Sequence, residues 1–240
     1  SMGKTAFALN VAMRAALSGG ATVAIFSLEM SKESLMDRML CAWGRVELSR
    51  VRRGFLEDDD WAKLSASADA LSRAKIFIDD TAGLTPLALR ARCRRLKAEH
   101  GLDLVMVDYL QLMRGSKRTD SREQEISEIS RSLKGLAKEM DIPVVALSQL
   151  NRKVEERKDN RPMLSDLRES GAIEQDADVI MFIFRKDVYE KKKENGERLL
   201  DSPAEIIIGK QRNGPVGTVN LLYKCAYTSF ESLAPDWMPE

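Results

Sequence analysis

Gly3-Lys4-Thr5, followed at once by an apolar stretch with helical character, contains the residue types with the clearest chemistry. A glycine, a lysine and a hydroxyl residue before a helix match the second half of the phosphate-binding loop G-x-x-x-x-G-K-[ST]. Backbone N–H groups at the helix start would cradle phosphate oxygens. The Lys4 ammonium would neutralise the β- and γ-phosphates, and the Thr5 hydroxyl would hold Mg²⁺. The first glycine of the loop and the strand before it lie outside this sequence. The neighbours expected to line the same nucleotide site are Ser1, Met2 and Ala6.

Asp108 follows Leu104–Val107, an apolar run that predicts a buried strand. Ligands of open α/β sheets bind at the carboxyl ends of the strands, so Asp108 is placed to hold Mg²⁺ through water. The alternative is an ordinary loop aspartate after a strand.

Two further strands are predicted to end in polar side chains. Glu29 follows the run Thr22–Leu28, and a carboxylate there can polarise water for attack on a γ-phosphate. The alternative is that Glu29 only favours the dipole of the next helix. Gln149 follows the strand Pro143–Leu147, and its amide can sense phosphate or water. Three polar strand ends at one sheet edge favour a nucleotide-hydrolysing site over three unrelated residues.

The elements that position these residues alternate along the chain. Near-continuous apolar runs predict strands covered on both faces, and strands alternating with helices predict a mainly parallel sheet with helices on both faces. The predicted strands are Thr22–Leu28, Ile76–Asp79, Leu104–Val107, Pro143–Leu147 and Val179–Phe184. The predicted helices cover residues 4–18, 31–43, 58–74, 85–100 and 123–140. Ile206–Ile208 and Val219–Tyr223 flank the turn Asn213-Gly214-Pro215 and predict a hairpin that forms an antiparallel edge.

Length and composition set the remaining bounds. The chain has 240 residues, of which 44% are hydrophobic and 31% charged, with a formal net charge of +1. We expect one domain over residues 1–240, and the overall charge argues neither for nor against a nucleic-acid partner. Cys41, Cys93 and Cys225 form no C-x-x-C pair and are expected to be reduced cytosolic thiols. No apolar run reaches the ~18 residues needed to span a bilayer, so no membrane partner is expected.

Five segments together resemble the motor domain of the replicative DnaB-type helicases. The most specific is Asp166–Asp178, with the sequence DLRESGAIEQDAD. The others are Ser1–Thr5, Phe26–Ser31, Val107–Gln111 and Leu147–Arg152. The resemblance covers essentially the whole chain. It implies a RecA-like P-loop NTPase fold and a ring-shaped homo-hexamer that uses ATP and Mg²⁺ to move along single-stranded DNA.

The resemblance also implies roles at the nucleotide site. Glu29 would be the catalytic base, Asp108 the Mg²⁺ carboxylate, and Gln149 a sensor that links nucleotide state to the DNA loops. Lys4 and Thr5 would meet the phosphates and Mg²⁺, as their types alone predict. Arg38 resembles a residue near the phosphates.

Two further groups of residues match parts of the family that act on DNA and on a neighbouring subunit. Arg168, Glu169 and Gly171 match the loop that grips the DNA backbone. An arginine suits phosphate, and a glycine exposes its amide to it. Lys210 and Arg212 resemble the fingers that reach a neighbour's γ-phosphate. Supplied in trans, such fingers make hydrolysis depend on assembly.

The resemblance implies primase and a helicase loader as partners, and a cytoplasmic location. The family's N-terminal domain and linker helix lie outside this sequence. Arg114–Arg122 and Asn151–Met163 have the composition of mobile loops, and residues 151–177 would carry the DNA contacts. Two other readings stay open. One is a RecA/RadA-like ATPase that binds DNA without unwinding it, and the other is a non-enzymatic interaction fragment.

Overall fold

Eight α-helices and eight β-strands are present in residues 2–115, 121–157, 159–190 and 201–233, the part of the chain that the computed structural model describes. The helices are α1 Lys4–Met13, α2 Lys32–Gly44, α3 Leu48–Arg53, α4 Asp58–Arg73, α5 Pro86–His100, α6 Arg122–Met140, α7 Gly171–Asp176 and α8 Asp187–Glu190. The strands are β1 Val23–Ser27, β2 Ile76–Asp79, β3 Leu104–Asp108, β4 Val144–Ala146, β5 Val179–Phe184, β6 Ser202–Gln211, β7 Gly217–Lys224 and β8 Ser229–Ser232. A π-helical turn, Arg14–Ser18, extends α1, and 3₁₀ helices cover Leu110–Leu112, Arg152–Glu156 and Leu164–Ser170.

The first four strands form a parallel sheet in the order β2-β1-β3-β4. Every residue of β1 and β3 is buried, as their unbroken apolar runs predict. In the β1–β3 register Ser27 lies beside Asp108, so the two strands end level with each other. The polar residues that follow them therefore share one edge of the sheet.

Helices cover this sheet on both faces, because alternate residues of each strand point to opposite sides. Phe26 and Val107 pack with α5 and α6 in one core cluster. Ile25 and Met106 pack with α1 and α2 in a second. Of the helices described, none combines the length and the apolar character needed to cross a bilayer.

Side chains at the helix ends explain where two helices begin. The side chain of Ser31 accepts a hydrogen bond from the Ser34 N–H and caps the start of α2. Thr85 caps α5, with Pro86 at its first position. The apolar stripe of α6 is buried: Ile126, Ile129, Leu133, Leu136 and Met140.

The C-terminal strands differ from the prediction in one respect. The hairpin is confirmed as β6 and β7, but it does not form an edge of the parallel sheet. It belongs to a separate antiparallel sheet in the order β5-β6-β7-β8. Burial along β5 alternates, with Ile180 and Phe182 buried and Val179 and Met181 exposed. Because β5 is apolar at every position, its sequence does not reveal which sheet it joins.

Candidate nucleotide-binding site

The candidate phosphate loop meets α1 at Gly3, whose backbone has a left-handed φ of 94°. This left-handed conformation favours glycine, and a Cβ here would also come within a tight 3.1 Å of the Phe230 ring. The Phe7 N–H donates to the Gly3 carbonyl at 2.9 Å and starts the helix. Ala6 is buried against Ala204 of β6, and Met2 lies half-buried beside the loop. Ser1 lies outside the described residues.

Thr5 and Asp108, predicted as Mg²⁺ ligands, are in direct contact. The Thr5 hydroxyl donates to the Asp108 carboxylate over 2.7 Å, which joins α1 to the end of β3 across 103 positions of sequence. Asp108 is only 5% exposed. Burial is the main cause that raises the pKa of its carboxyl above the ordinary 3.8, and the charge of Glu29 adds to it. The hydrogen bond from Thr5 and the cations Lys4 and Arg38 act against this rise.

Glu29 is exposed at the edge, two residues beyond the end of β1. The buried Ser27, whose role its sequence position does not predict, shapes the turn that carries Glu29. The Ser27 hydroxyl donates to the Met30 carbonyl at 2.6 Å and accepts from the Met30 N–H at 3.3 Å. The Leu28 N–H donates to the Asp108 carbonyl at 2.6 Å. Glu29 is therefore tied through backbone and hydroxyl contacts to the strand end that carries Asp108.

Arg38 lies on α2 and is half-buried. Among the described residues its buried Nε has no hydrogen-bond partner. A buried guanidinium nitrogen without a partner is costly, and an anionic ligand would satisfy it. The charges of Lys4 and Arg38 both act on the Asp108 carboxylate, so both cations lie within electrostatic range of it.

Gln149 follows β4 and is exposed. Its backbone is held by Gln111, a residue that follows β3. The Gln111 side-chain amide donates to the Ser148 hydroxyl at 2.8 Å and to the Gln149 carbonyl at 3.4 Å, and its oxygen accepts from the Gln149 N–H at 3.2 Å. Arg122, the first residue of α6, donates to the Gln111 carbonyl. Gln111 ends the segment Val107–Gln111 that resembles the helicase family, but its spacing from other residues does not predict this link.

Lys210 and Arg212 lie at the end of β6, and their side chains contact the end of α7 and the residues that follow it, where Arg212 pairs with the Asp178 carboxylate at 3.7 Å. The Lys210 ammonium donates to the Ala177 carbonyl at 2.8 Å and also to the Glu174 carbonyl. The Arg212 guanidinium donates to the Gln175 carbonyl at 2.6 Å. Cations at the carbonyl end of a helix are a favourable arrangement. No described contact joins either cation to Thr5 or Asp108 of the same chain.

The predicted DNA loop runs through a 3₁₀ helix, Leu164–Ser170, into α7, which starts at Gly171. The backbone of Arg168 and Glu169 lies in this 3₁₀ helix, and their side chains are outside the description. The preceding stretch, predicted as mobile, is braced by an ion pair. The Arg157 guanidinium donates to both oxygens of the buried Asp166 carboxylate, at 2.9 and 2.6 Å. Most of the other predicted loop, Arg114–Arg122, lies outside the described residues.

These residues fit a nucleotide with Mg²⁺. Mg²⁺ prefers oxygen ligands and is usually held by one or two carboxylates with waters and substrate phosphates. The Thr5 hydroxyl and the Asp108 carboxylate supply such oxygens side by side. No cluster of three acidic, histidine or cysteine ligands occurs in the described ranges, and this mode of Mg²⁺ binding does not need one. When bound, Mg²⁺ would neutralise charge on the phosphates, next to Lys4 and Arg38.

Residues 1–232 match the family described as DnaB-like helicase C terminal domain. The replicative DNA helicase DnaC of Bacillus subtilis (strain 168) is 53% identical over 234 residues, which are 97% of this chain and 50% of the relative. The chain thus spans about half the length of the curated relatives it matches.

Comparison with solved structures supports the same family. One solved ATPase domain has a TM-score of 0.89 at 44% identity, covering 98% of this chain and 82% of that one. A DnaB-like replicative helicase, solved to show its interactions with primase, has the same score and identity, covering 98% of this chain and 57% of that one. The RadB recombinase, at 17% identity and a TM-score of 0.55, covers 97% of this chain and 86% of its own and shares the fold alone. The fold is therefore that of the RecA-like P-loop NTPases, and the chain belongs to the DnaB-like helicase C-terminal domain family.

Proposed function

We propose that this chain is the ATPase motor domain of a replicative DNA helicase, which hydrolyses ATP to move along single-stranded DNA and to unwind duplex. The observation that carries the proposal is the 2.7 Å contact between Thr5 and the buried Asp108. It brings the hydroxyl of a phosphate loop to the carboxylate at the end of a neighbouring buried strand, which is the Mg²⁺-binding arrangement of P-loop NTPases.

Hydrolysis proceeds by in-line attack of water on the γ-phosphate. Glu29 accepts the proton that the water loses, the bond to the β-phosphate oxygen breaks, and ADP and phosphate leave. Lys4 and Arg38 offset the negative charge of the phosphates. Gln149, close to the same edge, responds to the loss of the γ-phosphate and passes the change to residues 151–177.

The working assembly is a homo-hexamer in which each site is completed by the neighbouring subunit. Lys210 and Arg212 supply cations to the γ-phosphate of that neighbour. Their described contacts are with residues at and just beyond the end of α7 and none is with Thr5 or Asp108 of their own chain, which supports action in trans. The whole protein acts in the cytoplasm with a loader and with primase, and the solved relative shown with primase supports the latter partner.

Unwinding of a forked DNA duplex by the full-length protein tests this function. We expect Mg-ATP-dependent strand displacement that disappears in the Lys4→Ala variant, which lacks the phosphate-binding ammonium. A DNA-stimulated ATPase that displaces no strand would instead identify a RecA/RadA-like DNA-binding enzyme. A full-length protein without ATPase activity would leave only the interaction fragment.

Arg168→Ala tests the DNA loop separately. We expect weaker binding of single-stranded DNA and a salt dependence reduced by about one phosphate contact, because each neutralised phosphate releases counterions. Basal ATP hydrolysis should change little. The measurement is DNA affinity by fluorescence anisotropy across salt concentrations, with the exposed Arg53→Ala of α3 as the matched control. Unchanged affinity and slope would remove Arg168 from the DNA site.

A further inference from the structure

Residues 151–166, which lead into the proposed DNA loop, contain two arginines whose charges are already paired. The Arg157 guanidinium donates to both oxygens of the Asp166 carboxylate, at 2.9 and 2.6 Å. The Arg161 guanidinium donates to both oxygens of the Glu205 carboxylate on β6, at 3.1 and 2.6 Å. Such paired bonds use the planar guanidinium as a fork, which fixes geometry as well as charge. Both charges are thus balanced by carboxylates of the same chain.

The pair between Arg161 and Glu205 fastens this segment to the antiparallel sheet. Glu205 lies opposite Phe184 in the β5–β6 register. The guanidinium carbon of Arg161 lies 5.5 Å from the centre of the Phe184 ring. Because an aromatic face attracts a cation, Arg161 interacts with both members of one cross-strand pair. The ion pair spans 44 positions of sequence, so it sets where the segment lies on the sheet rather than the shape of a local turn.

Internal hydrogen bonds give the segment a defined shape. Asn160 has a left-handed φ of 48°, which asparagine tolerates well. Its side-chain amide lies within 3.1 Å of three main-chain carbonyl oxygens, those of Val154, Glu155 and Arg157. The Arg157 guanidinium also donates to the Arg161 carbonyl at 2.6 Å. Since these bonds hold the segment together, one contact with the sheet is enough to place all of it.

The same sheet receives the start of the proposed DNA loop. Leu164 and Leu167, in the 3₁₀ helix that contains Arg168, belong to one apolar cluster with residues of β5 and β6. Glu205 lies in the first half of β6, and the proposed fingers Lys210 and Arg212 lie at its end. The loop proposed to bind DNA and the cations proposed to reach a neighbouring γ-phosphate are therefore attached to one strand.

We propose that Arg161 is a positioning residue for DNA binding. Its ion pair with Glu205 holds the DNA loop on the strand that carries the fingers, and Arg161 does not itself bind a DNA phosphate. The inference rests on the proposed function, because it explains how the DNA loop of that motor is placed. A loop fixed to β6 moves together with Lys210 and Arg212, so this ion pair links DNA contact to the cations that act on the neighbouring subunit.

A phosphate-binding arginine at position 161 would behave differently from a positioning residue. Arg161→Ala would then lower the slope of log K against log salt by about 0.7, the value for one phosphate of a single strand. Glu205→Gln would release the cation and strengthen DNA binding. For a positioning role, we expect both variants to weaken binding of single-stranded DNA by about 3–5-fold, the upper range for a partly exposed ion pair. The salt slope should stay that of the wild type.

Fluorescence anisotropy of the full-length protein with labelled single-stranded DNA, across salt concentrations, measures affinity and slope together. The charge swap Arg161→Glu with Glu205→Arg restores the pair with opposite polarity and should recover wild-type affinity. Arg161→Glu alone should bind most weakly, since two carboxylates then face each other. Arg94→Ala is the matched control, because it breaks an ion pair with Glu139 that joins α5 to α6, and it should bind DNA as the wild type does.

Hydrogen–deuterium exchange of the same protein without DNA tests the placement directly. We expect amides of residues 151–166 to exchange faster in Arg161→Ala and in Glu205→Gln, and amides of β1 and β3 to keep their wild-type rates. Unchanged exchange at residues 151–166, a salt slope lowered by about 0.7, or no recovery in the charge swap would each overturn the positioning role. A wild-type protein that binds no single-stranded DNA would instead overturn the proposed function, and the exchange rates would still decide whether Arg161 holds the segment in place.

Discussion

The residues proposed to act on phosphate are held in two contrasting ways. Thr5, Glu29 and Asp108 sit at the ends of buried parallel strands or on the helix bonded to them, so their backbones have little freedom. Lys210 and Arg212 lie at the end of an antiparallel strand, and their side chains donate to backbone carbonyls near the end of α7. The first group is positioned by the core, and the second by a surface contact that another acceptor can replace.

This difference gives a physical basis for coupling. The helix α7 has only six residues, with none buried, and it starts at Gly171 in the proposed DNA loop. It is attached to α6 by the Ser130 hydroxyl, which donates to Asp176 at 2.7 Å. A shift of the DNA loop would therefore move the carbonyls that hold both cations. The core-held group would stay in place.

Arg212→Ala is the strongest test of the surface-held group. We expect kcat for ATP hydrolysis by the full-length hexamer to fall about 10³–10⁵-fold, the range for arginine fingers in phosphoryl transfer. The Arg53→Ala variant of α3 is the matched control. Mixed rings of Arg212→Ala and Lys4→Ala subunits should recover activity, because some interfaces would combine an intact finger with an intact phosphate loop. If mixing recovers nothing, the two regions do not act across an interface.

Glu29→Gln tests the core-held group. The amide cannot accept the proton of the attacking water, so we expect kcat to fall about 10²–10⁴-fold while Mg-ATP affinity is kept. The matched control is Glu33→Gln, which removes a charge from the first turn of α2 and so reports any effect of the helix dipole. Equal losses in both variants, measured as kcat with separate nucleotide titrations, would reduce Glu29 to a dipole partner.

The difference between buried and open strands explains which parts of the fold can be predicted from the sequence. Strands buried on both faces carry unbroken apolar runs, so β1 and β3 and the polar residues after them can be read directly, and Asp108 lies beside Thr5 as expected. β4 and β5 are also apolar runs, yet β4 is only three residues long and half-open, and β5 pairs in another sheet. Apolar composition reports that a strand can be covered, but not which neighbour covers it.

Side-chain contacts between segments distant in sequence could not be predicted, for a related reason. Ser27 and Gln111 have no distinctive spacing, because their function depends on which strand ends become neighbours in the fold. The ion pair between Arg157 and Asp166 could not be predicted from the sequence either. A polar, proline-containing stretch has the same composition whether or not its charged side chains pair. Partners of this kind follow from topology rather than from local pattern.

Gln111→Ala tests a residue that belongs to neither group. Gln111 follows the buried strand β3 and supports the exposed sensor Gln149. Loss of the three hydrogen bonds should loosen the sensor and lower DNA-stimulated kcat about 10–100-fold, with basal hydrolysis and ATP affinity kept. Gln111→Glu retains the acceptor for the Gln149 N–H and should lie between. The exposed Gln124→Ala of α6 is the control. A fall in basal and stimulated rates by the same factor would indicate a structural role only.

Asp108→Asn should produce the smallest effect, and in the opposite direction: a more stable protein. Burial raises the pKa of this carboxyl above 3.8, so the folded state binds its proton more tightly than the unfolded chain does. Ionisation at neutral pH therefore destabilises the fold.

The amide of the Asp108→Asn variant removes that charge, and its oxygen still accepts from Thr5. We expect Tm at about pH 7.5 to be higher than that of the wild type. The gain should shrink as the pH falls towards 3.8, where the wild-type carboxyl becomes protonated in both states. Arg53→Ala of α3 should leave Tm unchanged at either pH, because its side chain is exposed. A loss of stability in Asp108→Asn at neutral pH would contradict this prediction. It would mean that the attraction of Lys4 and Arg38 for the Asp108 carboxylate outweighs the cost of burying its charge, so that the ionised carboxylate stabilises the fold.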